Sequence, residues 1–318
     1  MKVGLFIPLF NEEDNIQKLF NCIDNFKKSN PEINLVIICV NDGSNDKTHD
    51  LAINQKFDYY YKTNKNFGLG SATRIGLEVA HYVDCDCLIK FDADLQHNID
   101  DIKEVINIFK NDQADIVYAS RFKGKIHYKM PLYRYFGNKF FTMLMNLLTN
   151  YKITDSQTGM MCFNKVFLDT FEMPGLYNPP QQALLDGHFK GLRYMETNAD
   201  FFKREKGNSF IGIRYISKVF SSLMKIYFKN NLYKSYFIIS LISLSGLILI
   251  IIKAILNIIK SNTIYLENST LFISLIILFL FSLTQGLSLG IKTNNKVYFR
   301  NKKNYLYINT EYILCKEK

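Results

Sequence analysis

An acidic cluster, Asp92-Ala93-Asp94-Leu95-Gln96-His97, directly follows the apolar run from Cys87 to Phe91. The apolar run is typical of a buried strand. Carboxylates at alternate positions after a strand can reach one divalent cation together, and open α/β sheets bind ligands at that edge. The cluster therefore predicts a metal that holds a phosphate group. A short Asp-x-Asp sequence also occurs as a solvated turn, so the neighbouring loops have to decide between these interpretations.

Polar side chains also follow the other apolar runs of this region. Their loops read Pro8-Leu9-Phe10-Asn11-Glu12, Val40-Asn41-Asp42-Gly43-Ser44 and Asn66-Phe67-Gly68-Leu69-Gly70. Because parallel strands end at one edge of a sheet, we expect the carboxylates of Glu12, Asp42, Asp92 and Asp94 to gather there. Their mutual repulsion is unfavourable unless cations, donors or a ligand offset it, which favours a binding site. The pair Gly68-x-Gly70 lacks the third glycine of a dinucleotide fingerprint and indicates a tight helix entry.

The elements that position these loops alternate between apolar runs and helical patterns. Strands are predicted at Val3 to Pro8, Ile33 to Val40, Asp58 to Tyr61, Cys87 to Phe91 and Asp115 to Ala119. Helices are predicted after Glu12, after Asp46, from about Gly70 and after Asp100. Nearly continuous apolar strands separated by helices indicate an α/β fold with a mainly parallel sheet that is covered on both faces. Sheets of this kind commonly bind nucleotides.

Two apolar blocks near the C-terminus are long enough to leave water. Lys253 is the only charged residue from Tyr236 to Ile259, and the block from Leu271 to Ile291 has none. A helix needs about 20 apolar residues to cross a bilayer. We therefore predict a transmembrane hairpin in residues 234–291, with spans at about 235–259 and about 271–291. A pair of buried core helices is the alternative.

Basic residues beside the two blocks predict the orientation of the hairpin. They are Arg214, Lys218, Lys225, Lys229 and Lys234 before the first block and Lys292, Lys296, Arg300, Lys302 and Lys303 after the second. The connecting segment carries Lys260 against Glu267, so the positive-inside rule places both termini and the α/β domain in the cytoplasm of a multi-pass plasma-membrane protein. We expect no signal peptide at the N-terminus. An anionic membrane face explains the net charge of +10 better than nucleic acid does.

An apolar stripe at helical spacing precedes the first block. Its residues are Ile213, Ile216, Val219, Phe220, Leu223, Ile226 and Tyr227. We predict an amphipathic helix in residues 210–233 that lies in the headgroup region, with its apolar side toward lipid. The alternative is a helix that packs on the α/β domain.

The remaining tail, residues 292–318, contains two strand-like runs, Tyr305 to Ile308 and Tyr312 to Leu314. A hairpin there would either pair with a second copy of the chain, giving a homo-oligomer, or cover its own α/β domain. The cysteines are scattered without the spacing of metal ligands, so we expect reduced thiols.

The order of the motifs resembles that of family 2 inverting glycosyltransferases, and within them the polyprenyl-phosphate group of dolichol-phosphate mannosyltransferases and bactoprenol glucosyltransferases. The motifs are Pro8 to Glu12, Asn41 to Ser44, Asn66 to Gly70, Asp92 to His97, Ser120-Arg121 and Asp155 to Gly159. The resemblance covers residues 3 to about 209. It implies a GT-A nucleotide-diphospho-sugar transferase fold for residues 1–209, followed by the interfacial helix and two transmembrane helices.

The resemblance also implies the roles of individual residues. Nucleotide-sugar contacts fall on Pro8, Phe10, Glu12, Val40, Asp42, Asp92, Ala93, Asp94 and Gln96. Within that set, Asp92, Asp94 and Gln96 would hold Mg²⁺ or Mn²⁺ on the diphosphate, a role that suits hard oxygen ligands. Arg121 and Arg134 would grip the acceptor phosphate. Downstream, Arg204-x-x-Gly207-x-Ser209 resembles a family element that continues with lysine, where this chain has Phe210.

The predicted catalytic set is Asp94, Asp155, Arg121 and Arg134. Asp155 matches the position proposed as a base in relatives. A phosphate monoester has a second pKa of about 6 and is largely dianionic at neutral pH, so we expect Asp155 to position the acceptor instead.

The implied reaction moves a hexose from a nucleotide sugar, UDP-glucose or similar, to polyprenyl (undecaprenyl) phosphate at the cytosolic face of the membrane, with inversion at the sugar carbon. Transfer to another cell-envelope glycan or lipid is an alternative. A processive polysaccharide synthase normally shows a Gln-x-x-Arg-Trp motif, and this chain contains no tryptophan. A different class is an inactive membrane scaffold whose sheet only binds nucleotide.

Overall fold

The computed structural model describes residues 1–173, 178–203, 213–261, 269–292 and 313–315. The chain divides into two compact units. One comprises Met1–Leu223 with Tyr298–Lys318, and the other comprises Met224–Val297. The predicted motif at Arg204 to Ser209 and the strand-like run Tyr305 to Ile308 lie outside the described residues.

Strands and helices alternate through the first unit. The strands are β1 (Lys2–Leu9), β2 (Asn34–Asn41), β3 (Tyr59–Lys62), β4 (Cys87–Lys90), β5 (Ile116–Ser120), β6 (Met161–Asn164), β7 (Tyr194–Asn198) and β8 (Ile313–Cys315). The α-helices in the described residues are α1 (Ile16–Ser29), α2 (Thr48–Ile53), α3 (Leu69–Tyr82), α4 (Ile102–Lys110), α5 (Leu132–Leu148), α6 (Lys165–Thr170), α7 (Pro179–Phe189), α8 (Ile213–Asn230), α9 (Leu232–Ser261) and α10 (Ser269–Lys292). The strands and helices predicted before residue 120 correspond to β1 through β5 and α1 through α4, so that part of the prediction is confirmed.

The sheet has the order β7-β5-β6-β4-β1-β2-β3-β8. β1 pairs in parallel with β2 and β4, β2 pairs in parallel with β3, and β5 pairs in parallel with β7. β6 is antiparallel to both β4 and β5. The predicted α/β class with a mainly parallel sheet is therefore confirmed, and β6 and β7 are additions to the predicted strands.

Apolar side chains cover both faces of this sheet. On one face, Leu5 and Ile7 of β1 belong to the same buried cluster as Leu19 of α1 and Val105 of α4. On the other face, α3 approaches so closely that a Cβ at Gly76 would stand 2.5 Å from the Phe6 ring. Burial on both faces is the reason that the strands read as continuous apolar runs.

Strand β3, which would otherwise be an edge strand, is paired with β8 from the C-terminal tail. The pairing is antiparallel, with Tyr60 opposite Leu314. Edge strands present unpaired backbone groups, and this pairing satisfies those of β3. The tail thus adds a strand to the sheet of its own chain, which favours the alternative that the tail covers its own α/β domain. Pairing of the tail with a second copy stays a prediction.

The second unit contains α9 and α10, which pack together as an antiparallel pair. Leu275 lies 3.2 Å from a Cβ built at Gly246, and the rings of Tyr236 and Phe281 are in edge contact. Among the described helices, one stretch is long and apolar enough to cross a membrane, Ser235–Asn257 in α9. The apolar part of α10, Leu271–Gly286, is shorter, so the second span stays a prediction.

The predicted amphipathic helix is present as α8, which begins at Ile213 and ends at Asn230. Within its apolar stripe, Val219 and Leu223 are buried, whereas Phe220 is exposed. Contact of this helix with lipid stays a prediction.

Candidate active site

Loops from several strands meet at the point in the sheet where the order of the strands reverses. β1 lies between β2 and β4, so the chain leaves β1 toward one side and later returns to the other. The strands are parallel, with Leu9 opposite Asn41 and Phe6 opposite Lys90. A crevice forms at the carboxyl ends of strands at such a point and is the usual ligand site of open α/β sheets. The predicted gathering of these loops at one edge is confirmed.

The loops after β1 and β2 hold each other. The backbone N–H of Asn11 donates to Ser44 Oγ at 3.1 Å, and the N–H of Asn45 donates to Asn11 Oδ1 at 2.9 Å. The N–H of Glu12 donates to Thr48 Oγ1 at 2.8 Å. Asn11 has a φ of 55°, a left-handed conformation that asparagine tolerates better than most residues. These bonds fix the rim of the crevice.

The side chains that the resemblance assigned to this rim differ in how exposed they are to a ligand in the crevice. Pro8, Phe10 and Glu12 are half-buried at the end of β1. Val40 and Ala93 are buried, so their side chains contribute packing. Direct nucleotide contact by each of these residues stays a prediction.

Asp42 is buried and accepts hydrogen bonds from the loop before α3. Its Oδ1 accepts from the Phe67 N–H at 3.0 Å and from Thr63 Oγ1 at 3.2 Å, and its Oδ2 accepts from the Gly68 N–H at 2.7 Å. Burial raises the pKa of Asp42, and these hydrogen bonds oppose part of that rise. Gly43, with a φ of 66°, approaches the backbone of Lys65 too closely for any side chain. Asp42 therefore holds the glycine loop against the end of β2.

Lys90, at the end of β4, is almost fully buried and forms an ion pair with Asp92. Its Nζ donates to Asp92 Oδ1 and, at 2.9 Å, to the Gly159 carbonyl. A Cβ built at Gly159 would lie 2.7 Å from the other carboxylate oxygen, Asp92 Oδ2, and 2.8 Å from His97 Nε2. Lys90 thus neutralises the first carboxylate of the cluster and ties it to the Asp155 to Gly159 motif.

His97 lies in an apolar pocket beside this ion pair. Its ring is in edge contact with Phe201 and tilted against Phe91. Neither ring nitrogen has a hydrogen-bond partner among the described residues. Burial lowers the pKa of His97 to about 4, so the imidazole is neutral at physiological pH.

Asp94 and Gln96 lie in the same tight turn. Asp94 is buried, and its Oδ1 accepts from the Gln96 N–H at 3.2 Å. Leu95 between them has a φ of 57°. The side-chain Nε2 of Gln96 donates to the Phe202 carbonyl at 3.0 Å, and the Phe202 N–H donates to the Gln96 carbonyl at 2.9 Å. The turn is therefore held by residues that follow β7.

Arg121 and Asp155 form a second buried ion pair. Arg121 Nε donates to Asp155 Oδ2 at 2.6 Å, and Nη2 donates to Oδ1 and to the Gln157 carbonyl, each at 2.8 Å. The ring of Phe201 lies 5.1 Å from the guanidinium carbon. Asp155 also accepts from Asn138 Nδ2 at 2.8 Å, which connects it to α5. Both oxygens of Asp155 are therefore occupied by donors.

Glu196 on β7 binds the backbone of the segment that carries Asp155. It accepts hydrogen bonds from the N–H groups of Thr154 and Asp155 at 2.7 and 3.2 Å, and from the Tyr194 hydroxyl at 2.8 Å. Lys123 approaches it at 3.3 Å. The buried carboxylate thus fixes the loop between α5 and β6 that carries Asp155.

Arg134 is on the first turn of α5, four positions before Asn138. Residues at this spacing lie on the same helix face. The Nε of Arg134 is buried without a hydrogen-bond partner among the described residues. A buried guanidinium N–H in this position is available to an anion.

The side chains of the acidic cluster could bind a hard cation only if a bound ligand supplied the remaining oxygens around the cation. Among the described residues, no group of three or more His, Cys, Asp and Glu side chains could hold a metal ion. Asp94 and Gln96 would supply oxygen ligands from one turn, and Mg²⁺ commonly uses one or two carboxylates together with substrate phosphates. The ion pair with Lys90 occupies one oxygen of Asp92. The donor set therefore fits a cation that arrives with a diphosphate.

Sequence reasoning gave no role to Lys90, Asn138 and Glu196, and it included His97 in the motif Asp92 to His97 without assigning it a role. Lys90 had a usable signal, because it is the one charged residue in the apolar run that becomes β4. A charge in a buried strand requires a partner. Asn138 and Glu196 carry no comparable local signal.

The chain matches the family model of Glycosyl transferase family 2 over residues 5–171. It is 34% identical over 180 residues to a UDP-N-acetylglucosamine–dolichyl-phosphate N-acetylglucosaminyltransferase of Methanococcus voltae, an alignment that covers 51% of this chain and 69% of the relative. It is 31% identical over 216 residues to the dolichol-phosphate mannosyltransferase of Pyrococcus furiosus, covering 66% of this chain and 59% of the relative. A bactoprenol glucosyl transferase of Shigella phage SfV is 32% identical over 125 residues, covering 38% of this chain and 39% of the relative.

The fold is similar to that of solved transferases. Glucosyl-3-phosphoglycerate synthase from Mycobacterium tuberculosis superposes with a TM-score of 0.52 at 15% identity, covering 72% of this chain and 79% of that chain. This likeness supports a GT-A-like α/β architecture.

Proposed function

The chain belongs to glycosyltransferase family 2, and from that membership we propose that it transfers a hexose from a nucleotide sugar, UDP-glucose or similar, to a polyprenyl phosphate, with inversion at the sugar carbon. The named relatives act on dolichyl phosphate, dolichol phosphate or bactoprenol, as their names state. The observation that carries the proposal is the connection between two arginines: Arg121 binds Asp155, and Asp155 binds Asn138, which lies one turn after Arg134 on α5. Arg134 Nε is buried without a partner among the described residues, which suits an anionic acceptor.

The acceptor phosphate would lie against these two arginines. Arg121 uses Nε and Nη2 to bind Asp155 and Gln157, so Nη1 is the nitrogen that these bonds do not use. The ion pair prevents the guanidinium from rotating, and a fixed planar donor selects one orientation of a phosphate. Asp155 is then a positioning residue, and the dianionic phosphate itself is the nucleophile.

The donor diphosphate would lie over the acidic cluster. Asp94 and Gln96 would hold Mg²⁺ or Mn²⁺ together with Asp92 Oδ2, and the cation would stabilise the charge that develops on the leaving diphosphate. Pro8, Phe10, Glu12 and the loop from Val40 to Asp42 would border the nucleotide. Binding both substrates in one crevice supplies the proximity that in-line attack needs.

The reaction would take place at the cytoplasmic face of the plasma membrane. The span Ser235–Asn257 supports membrane anchoring, and a second span at about 271–291 would return the chain to the cytoplasm, with residues 292–318 as a cytosolic tail.

Purified full-length chain, incubated with undecaprenyl phosphate and labelled UDP-glucose, UDP-GlcNAc or GDP-mannose in Mg²⁺ or Mn²⁺, tests the proposal. We expect lipid-linked sugar from at least one donor, and Asp94→Asn should abolish it without lowering the unfolding temperature. Asp50→Asn, an exposed carboxylate on α2, is the matched control and should keep full turnover. Lipid-linked sugar from no donor would reject the proposal. Nucleotide binding without turnover would favour the scaffold, and label on a glycan acceptor would favour another transferase.

A further inference from the structure

A set of uncharged polar side chains is buried between α5 and α7, in a place where protein interiors are usually apolar. Its members, hereafter the α5–α7 network, are at most 7% exposed: Asn138 and Thr142 on α5, Ser156 in the loop before β6, Asn178 directly before α7, and Gln181 on α7. Burying a polar group costs free energy unless the group is hydrogen-bonded. The network is therefore stable only if its members bind one another.

Hydrogen bonds join these side chains without a break. Asn178 Nδ2 donates to Gln181 Oε1 at 2.6 Å, and Gln181 Nε2 donates to Ser156 Oγ at 3.2 Å. The Thr142 hydroxyl donates toward Ser156 Oγ at 3.1 Å and toward Asn138 Oδ1 at 3.0 Å, and it accepts from the Ser156 N–H at 3.2 Å. The network thus connects the beginning of α7 with α5.

The network ends on the ion pair of the candidate site. Asn138 Nδ2 donates to Asp155 Oδ1 at 2.8 Å, and Asp155 binds Nε and Nη2 of Arg121. A carboxylate only accepts hydrogen bonds, so Asn138 must turn its NH₂ group toward Asp155 and its carbonyl oxygen toward Thr142. The orientation of each side chain therefore depends on that of its neighbour, as far as the guanidinium.

We propose that Gln181 is a positioning residue of the acceptor site, which acts through the α5–α7 network to hold Asp155 and Arg121 in one orientation toward a phosphate. This inference rests on the proposed function for the identity of the ligand, and its physical basis is the unbroken set of hydrogen bonds. Apolar side chains of similar volume could pack between the helices, but they would not supply the donor that fixes Asp155.

Thr142→Val and Thr142→Ser test the proposal in the middle of the network. Valine keeps the shape of threonine without the hydroxyl, whereas serine keeps the hydroxyl without the methyl group. The full-length chain in detergent would be titrated calorimetrically with farnesyl phosphate, a short polyprenyl phosphate, in the absence of any sugar donor. We expect Thr142→Val to raise the Kd by about 10-fold, the size of one lost hydrogen bond, and Thr142→Ser to keep the parent value. A serine variant that binds worse than the valine variant would assign Thr142 to packing and overturn the proposal.

Gln181→Met removes the amide at the other end of the network. It should raise the Kd for farnesyl phosphate and leave the affinity for UDP with Mg²⁺ unchanged. Tyr118→Phe is the matched control, because the buried Tyr118 hydroxyl donates to the Pro180 carbonyl of α7 at 2.5 Å and does not bind the network. We expect this control to lower the unfolding temperature and to keep both affinities. Equal losses of phosphate affinity in Gln181→Met and Tyr118→Phe would overturn the proposal.

A double-mutant cycle separates this inference from the proposed function, because it needs no ligand. Thermal unfolding would be measured for Gln181→Met, for Asp155→Asn and for the double variant. We expect the double variant to lose less stability than the sum of the two single losses, since both substitutions disrupt the same network. Coupled losses in a chain that binds no farnesyl phosphate would reject the proposed function and support the connection between Gln181 and Asp155. Additive losses in a chain that binds farnesyl phosphate would overturn this inference and leave the proposed function intact.

Discussion

The carboxylate of Asp155 binds the guanidinium of Arg121 through two parallel hydrogen bonds, at 2.6 Å to Nε and 2.8 Å to Nη2. Asp155 is fully buried. Burial raises its pKa, but the charge and hydrogen bonds of Arg121, with those of Asn138, hold the pKa below its ordinary value. A general base at neutral pH needs a pKa near that pH. Asp155 is therefore suited to hold Arg121 and not to accept a proton.

Asp155→Asn should destabilise the protein by about 3–5 kcal/mol, because it leaves a buried guanidinium without its counter-charge. Thermal unfolding of the detergent-solubilised chain measures the effect. The double variant Arg121→Met with Asp155→Leu should lose less than the sum of the two single losses, since it removes both charges. A single variant as stable as the parent would contradict this account of the ion pair.

Lys90→Met should destabilise the protein by about 1–3 kcal/mol, because the Gly159 carbonyl loses its donor and Asp92 loses its counter-charge. It should also weaken Mg²⁺-dependent nucleotide binding, because the side chain of Asp92 would no longer be held in one orientation by Lys90. Calorimetric titration with UDP, with and without Mg²⁺, measures the binding. Adding Asp92→Asn to Lys90→Met should restore part of the stability, and a further loss would show that the two side chains are not paired.

Gly159→Ala should lower turnover by about 100-fold or more, because displacing catalytic groups by about 1 Å can cost that factor. A Cβ at Gly159 would collide with Asp92 Oδ2 and His97 Nε2, which Lys90 and Phe201 hold in place. Steady-state kinetics of sugar transfer measures it.

Gly137→Ala is the matched control for that substitution. Gly137 lies inside α5, and a Cβ there meets no atom within 4 Å. Alanine is the better helix former, so the variant should gain about 0.5–1 kcal/mol of stability and keep full turnover. Equal loss of turnover in both glycine variants would argue against a specific role for Gly159.

Asp101 should make the protein less stable as the pH rises from about 4 to about 6. Burial, followed by the nearby Asp200, Glu104 and Asp100, raises its pKa from 3.8 to about 6. The folded state therefore keeps a proton that the unfolded chain has lost, so the free energy of unfolding falls through this window and is constant above it. Asp101→Asn should remove the contribution of Asp101 to that slope and raise the unfolding temperature at neutral pH, with no effect below about pH 4. Burial also raises the pKa of Asp186 to about 6, so a shallower slope from Asp186 should remain.

The same measurement on Asp50→Asn is the control for the pH experiment. Asp50 is exposed on α2, and we expect its variant to keep the slope of the parent. A slope as steep in Asp101→Asn as in the parent would assign the pH dependence to another group.

The strands that carry the motifs were predictable, whereas the strand inserted between them was not. The run from Cys87 to Phe91 is apolar and bounded by polar loops, and it folds as β4. β6 is a run of only four residues, Met161–Asn164, and it pairs antiparallel between β4 and β5. Its place in the sheet depends on pairing with strands far away in the chain, which local periodicity does not describe.

Helix α5 shows that local periodicity also fails to identify which face of a helix is buried. Apolar residues occur on more than one of its faces. Packing on the domain buries Phe141 and Met145 and leaves Phe136 and Met143 exposed. Periodicity alone could not decide which side faces solvent, so the exposed face was recognised only in three dimensions.

The sequence by itself determined the family, the strand ends that carry the acidic residues, and the kind of chemistry that carboxylates and arginines at those ends can support. Only the tertiary structure decided which of those carboxylates already have partners: Asp92 is paired with Lys90, Asp155 is paired with Arg121, and Asp42 accepts hydrogen bonds from backbone N–H groups. The physical reason is distance along the chain. A motif specifies residue types at short spacing, whereas the free energy of a buried charge depends on partners that packing brings from elsewhere.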